Sequence, residues 1–85
     1  MKKTSTSPKQ NSARELLAFN LRVIRAERAM TKEELANLAG IDRGYVGQIE
    51  AGTRAVSVDI IERLAIALGV PVAQLFLNSN RHIDT

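Results

Sequence analysis

The chain has 85 residues, with 12 Lys+Arg against 9 Asp+Glu for a net charge of +3, no cysteine and one histidine, His82. That length holds one small domain, and the missing cysteine excludes disulfide staples, thiolate zinc sites and cysteine nucleophiles. A single histidine near the C-terminus leaves no Ser-His-Asp triad and no histidine-based metal site, and three aromatics (Phe19, Tyr45, Phe76) are too few for a base-stacking sheet.

Charge is unevenly placed. Residues 1–14 carry Lys2, Lys3, Lys9 and Arg14 without an acid, whereas residues 15–85 are close to neutral with a net charge of −1. The stretch MKKTSTSPKQNS, residues 1–12, is polar and basic and has no apolar period. Too little apolar surface is available there to offset ordering entropy, so a disordered basic tail is expected. No apolar run follows the opening Met-Lys-Lys as a secretory signal would need, and none reaches membrane-spanning length. The expectation is a soluble, cytoplasmic protein.

From Ala13 the period becomes helical. Leu17, Leu21 and Ile24 recur at i, i+4 and i+7, with Arg14, Arg22 and Arg25 outside that stripe. Thr31-Lys32-Glu33-Glu34 reads as a capping box, Thr31 at N-cap and Glu34 at N3. The helix it opens is expected to turn Leu35 and Leu38 inward, with Ala36 and Ala39 allowing close helix approach, and Gly40 to end it in a left-handed cap. Asp42 caps the next helix after a very short connection, with Tyr45, Val46 and Ile49 on its buried side, and Gly52 stops it. Ser57 caps a fourth helix whose apolar face is Ile60, Ile61, Leu64, Ala65 and Leu68. Gly69 closes that helix, and Pro71 opens a short fifth one ending near Leu77. The expectation is an all-α domain of five helices over residues 13–77, followed by a frayed polar end, residues 78–85. So small a core makes dimerisation a natural supplement.

The informative unit is TKEELANLAGIDRGYVGQIEAG, two short helices joined by a tight glycine-containing turn, as a helix-turn-helix requires. At about 100° per residue, Tyr45, Val46 and Ile49 share one side of the second helix and Arg43, Gly44, Gly47 and Gln48 the other. Arg43 has the two-pronged donor that matches guanine O6 and N7, and Gln48 the paired donor and acceptor that match adenine N6 and N7. Gly44 and Gly47 remove side chains where a helix backbone would approach base edges. Each costs roughly 0.5–1 kcal/mol relative to alanine inside a helix, so a functional surface or a loose, irregular helix must account for them.

The run from FNLRVIR through TKEELANLAGIDRGYVGQIEAGTR to LAIALGV resembles the Cro/C1-type (XRE-like, lambda-repressor-like) helix-turn-helix family over Leu16 to Leu77. Its DRGYVGQIE stretch is similar to the controller proteins of restriction–modification systems. The resemblance implies a sequence-specific transcriptional regulator, a homodimer on a two-fold symmetric double-stranded DNA operator, with helix 42–51 in the major groove and half-sites about one helical turn (~10 bp) apart. It implies base contacts from Arg43, Gly44, Gly47 and Gln48, and phosphate contacts from Thr31, Lys32, Thr53 and Arg54. Tyr45 either adds its hydroxyl to a phosphate or a deformable base step, as a further phosphate contact, or is half core. Arg25 and Glu50 correspond to a structural ion pair between the first helix and the recognition helix. Lys32 stands where the family has Gln, Gly47 where it has Ser and Val56 where it has Pro.

The remaining features are plainer. Glu33, Glu34, Asp59 and Glu62 lie in first helical turns, where capping and the helix dipole account for them without catalysis. No enzyme activity, cofactor, metal or small-molecule ligand is expected. Leu75-Phe76-Leu77 cannot all point inward, and the exposed remainder reads as a dimer contact. The alternative reading is a protein-interaction module of the same fold, an antitoxin or adaptor, with DNA binding secondary.

Overall fold

The computed structural model describes residues 12–78; the tails expected over residues 1–12 and 78–85, His82 among them, lie outside the described residues except for Ser12 and Asn78. Four α-helices follow in order, α1 (Ala13–Glu27), α2 (Lys32–Ala39), α3 (Arg43–Glu50) and α4 (Val58–Leu68), and a 3-10 turn, Val72–Phe76, closes the domain. The described residues contain no strand. The expected fifth helix is therefore replaced by the 3-10 turn, with Pro71 as its N-cap and without a side-chain cap bond. Five residues with no cap cannot repay the nucleation cost of an α-helix, and the tighter turn suffices to seat one leucine.

Local chemistry sets the boundaries. Ser12, assigned to the tail by composition, is the N-cap of α1: its Oγ accepts from the Glu15 N–H at 3.1 Å while Glu15 Oε1 accepts from the Ser12 N–H. The Thr31 box is present at α2 (Thr31 N–H to Glu34 Oε1 2.8 Å, Glu34 N–H to Thr31 Oγ1 3.0 Å). Asp42 and Ser57 cap α3 and α4 as expected, and Gly40 and Gly69 end α2 and α4 in the left-handed region. The end of α1 has no glycine. Ala29 takes φ 52° there, and the Met30 N–H reaches back to the Arg25 carbonyl at 3.1 Å.

Leu21, Leu35, Val46, Ile49, Leu64 and Leu75 are fully buried, so every element contributes to one core. α2 packs against both α3 and α4, while α1 packs against α3 and the closing turn. The expected inward position of Leu38 is not realised, for it is 64% exposed. Leu35, Ala39 and Ala36 already span the ~100° arc of α2 that faces its neighbours, and Leu38 falls about 60° beyond the Leu35 edge of that arc. Ile60, Ile61 and Tyr45 are half-buried at the rim of the core.

Candidate nucleic-acid interface

α2 and α3 meet through three residues. The left-handed Gly40 (φ 72°) lets the Ile41 N–H return to the Ala36 carbonyl at 2.9 Å, and Asp42 follows as the cap of α3. Gly40 is needed because a side chain in that conformation is strained, and the turn is so short that α3 must leave α2 at once. The result is an α3 whose inner side lies on the core and whose outer side is bare.

The inner side is fixed by apolar contact and by two arginines of α1. Val46 and Ile49 are buried, and Glu50 retains only 4% exposure. Arg25 grips the Glu50 carboxylate with two prongs, Nε to Oε2 at 2.7 Å and Nη2 to Oε1 at 3.1 Å. Its Nη1 also donates to the Met30 carbonyl at 2.8 Å, tying down the strained turn after α1. Arg22 donates from Nη1 to the Glu50 carbonyl at 2.6 Å. The hydrogen bond to Glu50, aided by its charge and opposed by partial burial, holds the Arg25 guanidinium above its ordinary pKa. A raised folded-state pKa stabilises at all pH below the unfolded value and is lost only above it, so this contribution is constant through the neutral range.

The outer side carries Arg43, Gly44 and Gln48 exposed and Gly47 half-exposed, which places the four expected base-contact residues on one face. The two glycines differ. A Cβ on Gly44 would meet Asp42 Oδ2 at 3.0 Å, the atom that accepts from the Gly44 N–H at 2.8 Å, so the N-cap accounts for that glycine. A Cβ on Gly47 would have nothing within 4 Å. The helix is regular through both, so the loose-helix explanation falls away.

Tyr45, Gln48, Thr53 and Arg54 come together at the end of α3. Arg54 Nη1 donates to Gln48 Oε1 at 2.6 Å, and its guanidinium lies 5.0 Å from the Tyr45 ring centroid. The N–H and Oγ1–H of Thr53 both donate to the Gln48 carbonyl, each at 3.2 Å. Thr53 thus ties the loop after α3 to the end of the helix. Thr31 and Lys32 sit at the start of α2. The first N–H groups of an α-helix have no intrahelical partner, and there the dipole favours an anion.

The three residues read as a dimer contact separate. Leu75 is fully buried and belongs to the core, because Asn20 Nδ2 donates to both the Leu75 and Leu77 carbonyls (3.0 and 2.8 Å) and draws the closing turn onto α1. Phe76 is half-buried and Leu77 is 42% exposed. Asn20 and Arg22 were not singled out from sequence. Asn20 lies within the Leu17–Leu21–Ile24 stripe, and a polar residue in an apolar stripe was the available signal; Arg22 carried none. Among the described residues no group of three or more His, Cys, Asp or Glu could hold a metal ion, and no helix is long and apolar enough to cross a membrane.

A short helix held rigidly by its inner face behind a second helix, with an exposed polar outer face, defines a helix-turn-helix domain. The chain belongs to the helix-turn-helix family HTH_3, of Cro/C1 type, whose model matches residues 21–75. It is 39% identical over 70 residues, 82% of this chain, to the Neisseria hypothetical transcription factor of Neisseria meningitidis, and the match covers 66% of that relative, just under two thirds of its length. The solved structure of the restriction-modification controller protein C.AhdI from Aeromonas hydrophila is similar at 40% identity and TM-score 0.72, over 74% of this chain and 96% of that one. The controller protein C.Esp1396I, solved as a tetramer with its natural 35 base-pair operator, is 28% identical with TM-score 0.71, over 79% of this chain and 88% of that one.

Proposed function

We infer that this chain is a sequence-specific, double-stranded-DNA-binding transcriptional regulator that acts as a cytoplasmic homodimer, with α3 entering the major groove. The observation that carries the reading is Gly47. An exposed mid-helix position where the protein itself has room for a side chain keeps the residue that costs helix stability, as a backbone approaching base edges would require. Arg43 and Gln48 flank it on the same face with the donors and acceptors that read bases. Thr31, Lys32 and the free N–H groups of α2 supply phosphate contacts that set the register. The relatives' names agree, since they are regulators and one is solved on its operator.

The second copy fits the apolar face of α1 and the closing segment. Phe19 and Val23, one turn apart on α1, and Val72 and Leu77 of the closing segment are large apolar residues left 37–43% exposed where α1 and that segment pack together. With Phe76 they form the dimer contact in this reading, and Asn20 positions it. The test is a gel-shift against the chain's own upstream region with competitor DNA. Wild type retards the specific fragment selectively, and Arg43→Ala loses that selectivity while circular dichroism stays helical. Equal binding of wild type to specific and competitor DNA overturns the reading.

A further inference from the structure

We propose that Arg54 is a specificity-positioning residue: it holds the Gln48 amide so that this side chain offers only donors to the groove, and the pair selects guanine where a free glutamine selects adenine. The inference rests on the DNA-binding reading of α3 and deepens it by naming the base edge recognised.

Three anchors hold the unit. The Gln48 Oε1 accepts a charge-assisted bond from Arg54 Nη1 at 2.6 Å. The guanidinium is seated over the Tyr45 ring at 5.0 Å, a cation–π contact on a half-buried aromatic. The loop that carries Arg54 is fastened to Gln48 itself, because the Thr53 N–H and Oγ1–H both donate to the Gln48 carbonyl. The direction of the amide follows from chemistry. A guanidinium has donors only, so the NH2 end of Gln48 cannot face it, and the oxygen must.

With its oxygen turned to Arg54, Gln48 presents Nε2–H on the opposite side of the amide. The paired recognition of adenine needs that oxygen to accept from N6, and the bond to Arg54 turns it away. Guanine offers two acceptors, O6 and N7, and satisfies donors from Nε2 without asking for an acceptor in return. Arg54 keeps further N–H donors of its own, so the composite edge is uniformly donating. Two donor-rich points on one helix face, Arg43 and the Gln48–Arg54 pair, then favour a half-site with guanines at two positions.

The experiment is selection from a pool of duplexes with a randomised core of roughly two helical turns (~20 bp), using wild type, Arg54→Ala, Arg54→Lys and Gln48→Glu, followed by affinity against salt for the enriched sites. Wild type enriches guanine over adenine by roughly tenfold or more at a symmetric position that Gln48→Glu abolishes. Arg54→Ala flattens the same position while preferences set by Arg43 persist. Arg54→Lys restores the affinity and salt slope but not the guanine preference, since an ammonium cannot make the stacked, planar contact. The proposal is overturned if Arg54→Ala weakens all sequences equally and lowers the salt slope by about one without changing any base preference, the signature of a phosphate contact. Adenine at the Gln48 position in wild type overturns it as well. If wild type enriches no sequence, the regulator reading itself fails, a result separate from either of these.

Discussion

On the inner face of α3, Val46, Ile49 and Glu50 are 0%, 1% and 4% exposed, and both carboxylate oxygens and the carbonyl of Glu50 are held by arginines of α1. On the outer face, Arg43 and Gln48 are exposed, and Gly47 meets nothing where a side chain would stand. Each face also has an arginine gripping a side chain of α3. Arg25 on Glu50 is desolvated and two-pronged, whereas Arg54 on Gln48 lies in water on a loop. The contrast teaches that the same guanidinium chemistry does different work according to solvent. Buried, it holds the helix in place, and removing one partner strands a charge. Exposed, it adds little stability and sets the orientation of a neighbour.

Substitutions on the two faces should therefore separate stability from binding. Glu50→Ala is expected to cost about 3–5 kcal/mol in urea unfolding, because Arg25 is left partly buried without its counter-charge. A loss below about 1 kcal/mol would show that the inner pair is not what seats α3. Arg43→Ala is expected to leave unfolding within about 0.5 kcal/mol of wild type while removing roughly 1–3 kcal/mol of discrimination between specific and competitor DNA. An equal loss in both measurements would erase the distinction between the faces.

The glycines sharpen it further. Gly47→Ala is expected to raise stability by about 0.5–1 kcal/mol and to weaken specific DNA binding, a rise in melting temperature paired with a lower affinity. Higher stability with unchanged affinity would mean that no base edge approaches that position. Gly44→Ala should show the smallest change in stability. Its gain in helix propensity is offset by a Cβ crowding Asp42 Oδ2, which weakens a cap worth about 1 kcal/mol. Comparing the two alanine variants by thermal unfolding checks this, and a Gly44→Ala gain equal to that of Gly47→Ala would count against the cap explanation.

How far the sequence could be read depended on the range of the interaction. The boxes at Thr31–Glu34, the caps at Asp42 and Ser57 and the glycine stops at Gly40 and Gly69 are contacts within a few residues, and each is found where local chemistry put it. The end of α1 was harder, because Ala29 adopts a conformation normally left to glycine and is held by Arg25 from the preceding turn. Leu38 and Leu75 were misplaced for the converse reason. Periodicity assigns a face, but which part of the face meets a neighbour depends on where α3, α4 and α1 come to rest.

The candidate site divides in the same way. Arg43, Gly44, Gly47 and Gln48 were legible as one face because 100° per residue is a property of the helix alone. That the Gly44 position is occupied by a cap and the Gly47 position is open was not legible, since it depends on atoms outside the helix backbone. The chain by itself thus determined an all-helical domain, its helix starts and the outward residues of α3, all through short-range hydrogen bonding and helical period. Only the tertiary structure decided that Asn20 clamps the closing turn, that Arg22 joins Arg25 on Glu50 and that Arg54 turns the Gln48 amide. Those contacts join a side chain to a partner whose position is fixed by how the helices pack, or by how the loop after α3 folds back, and no local pattern encodes that.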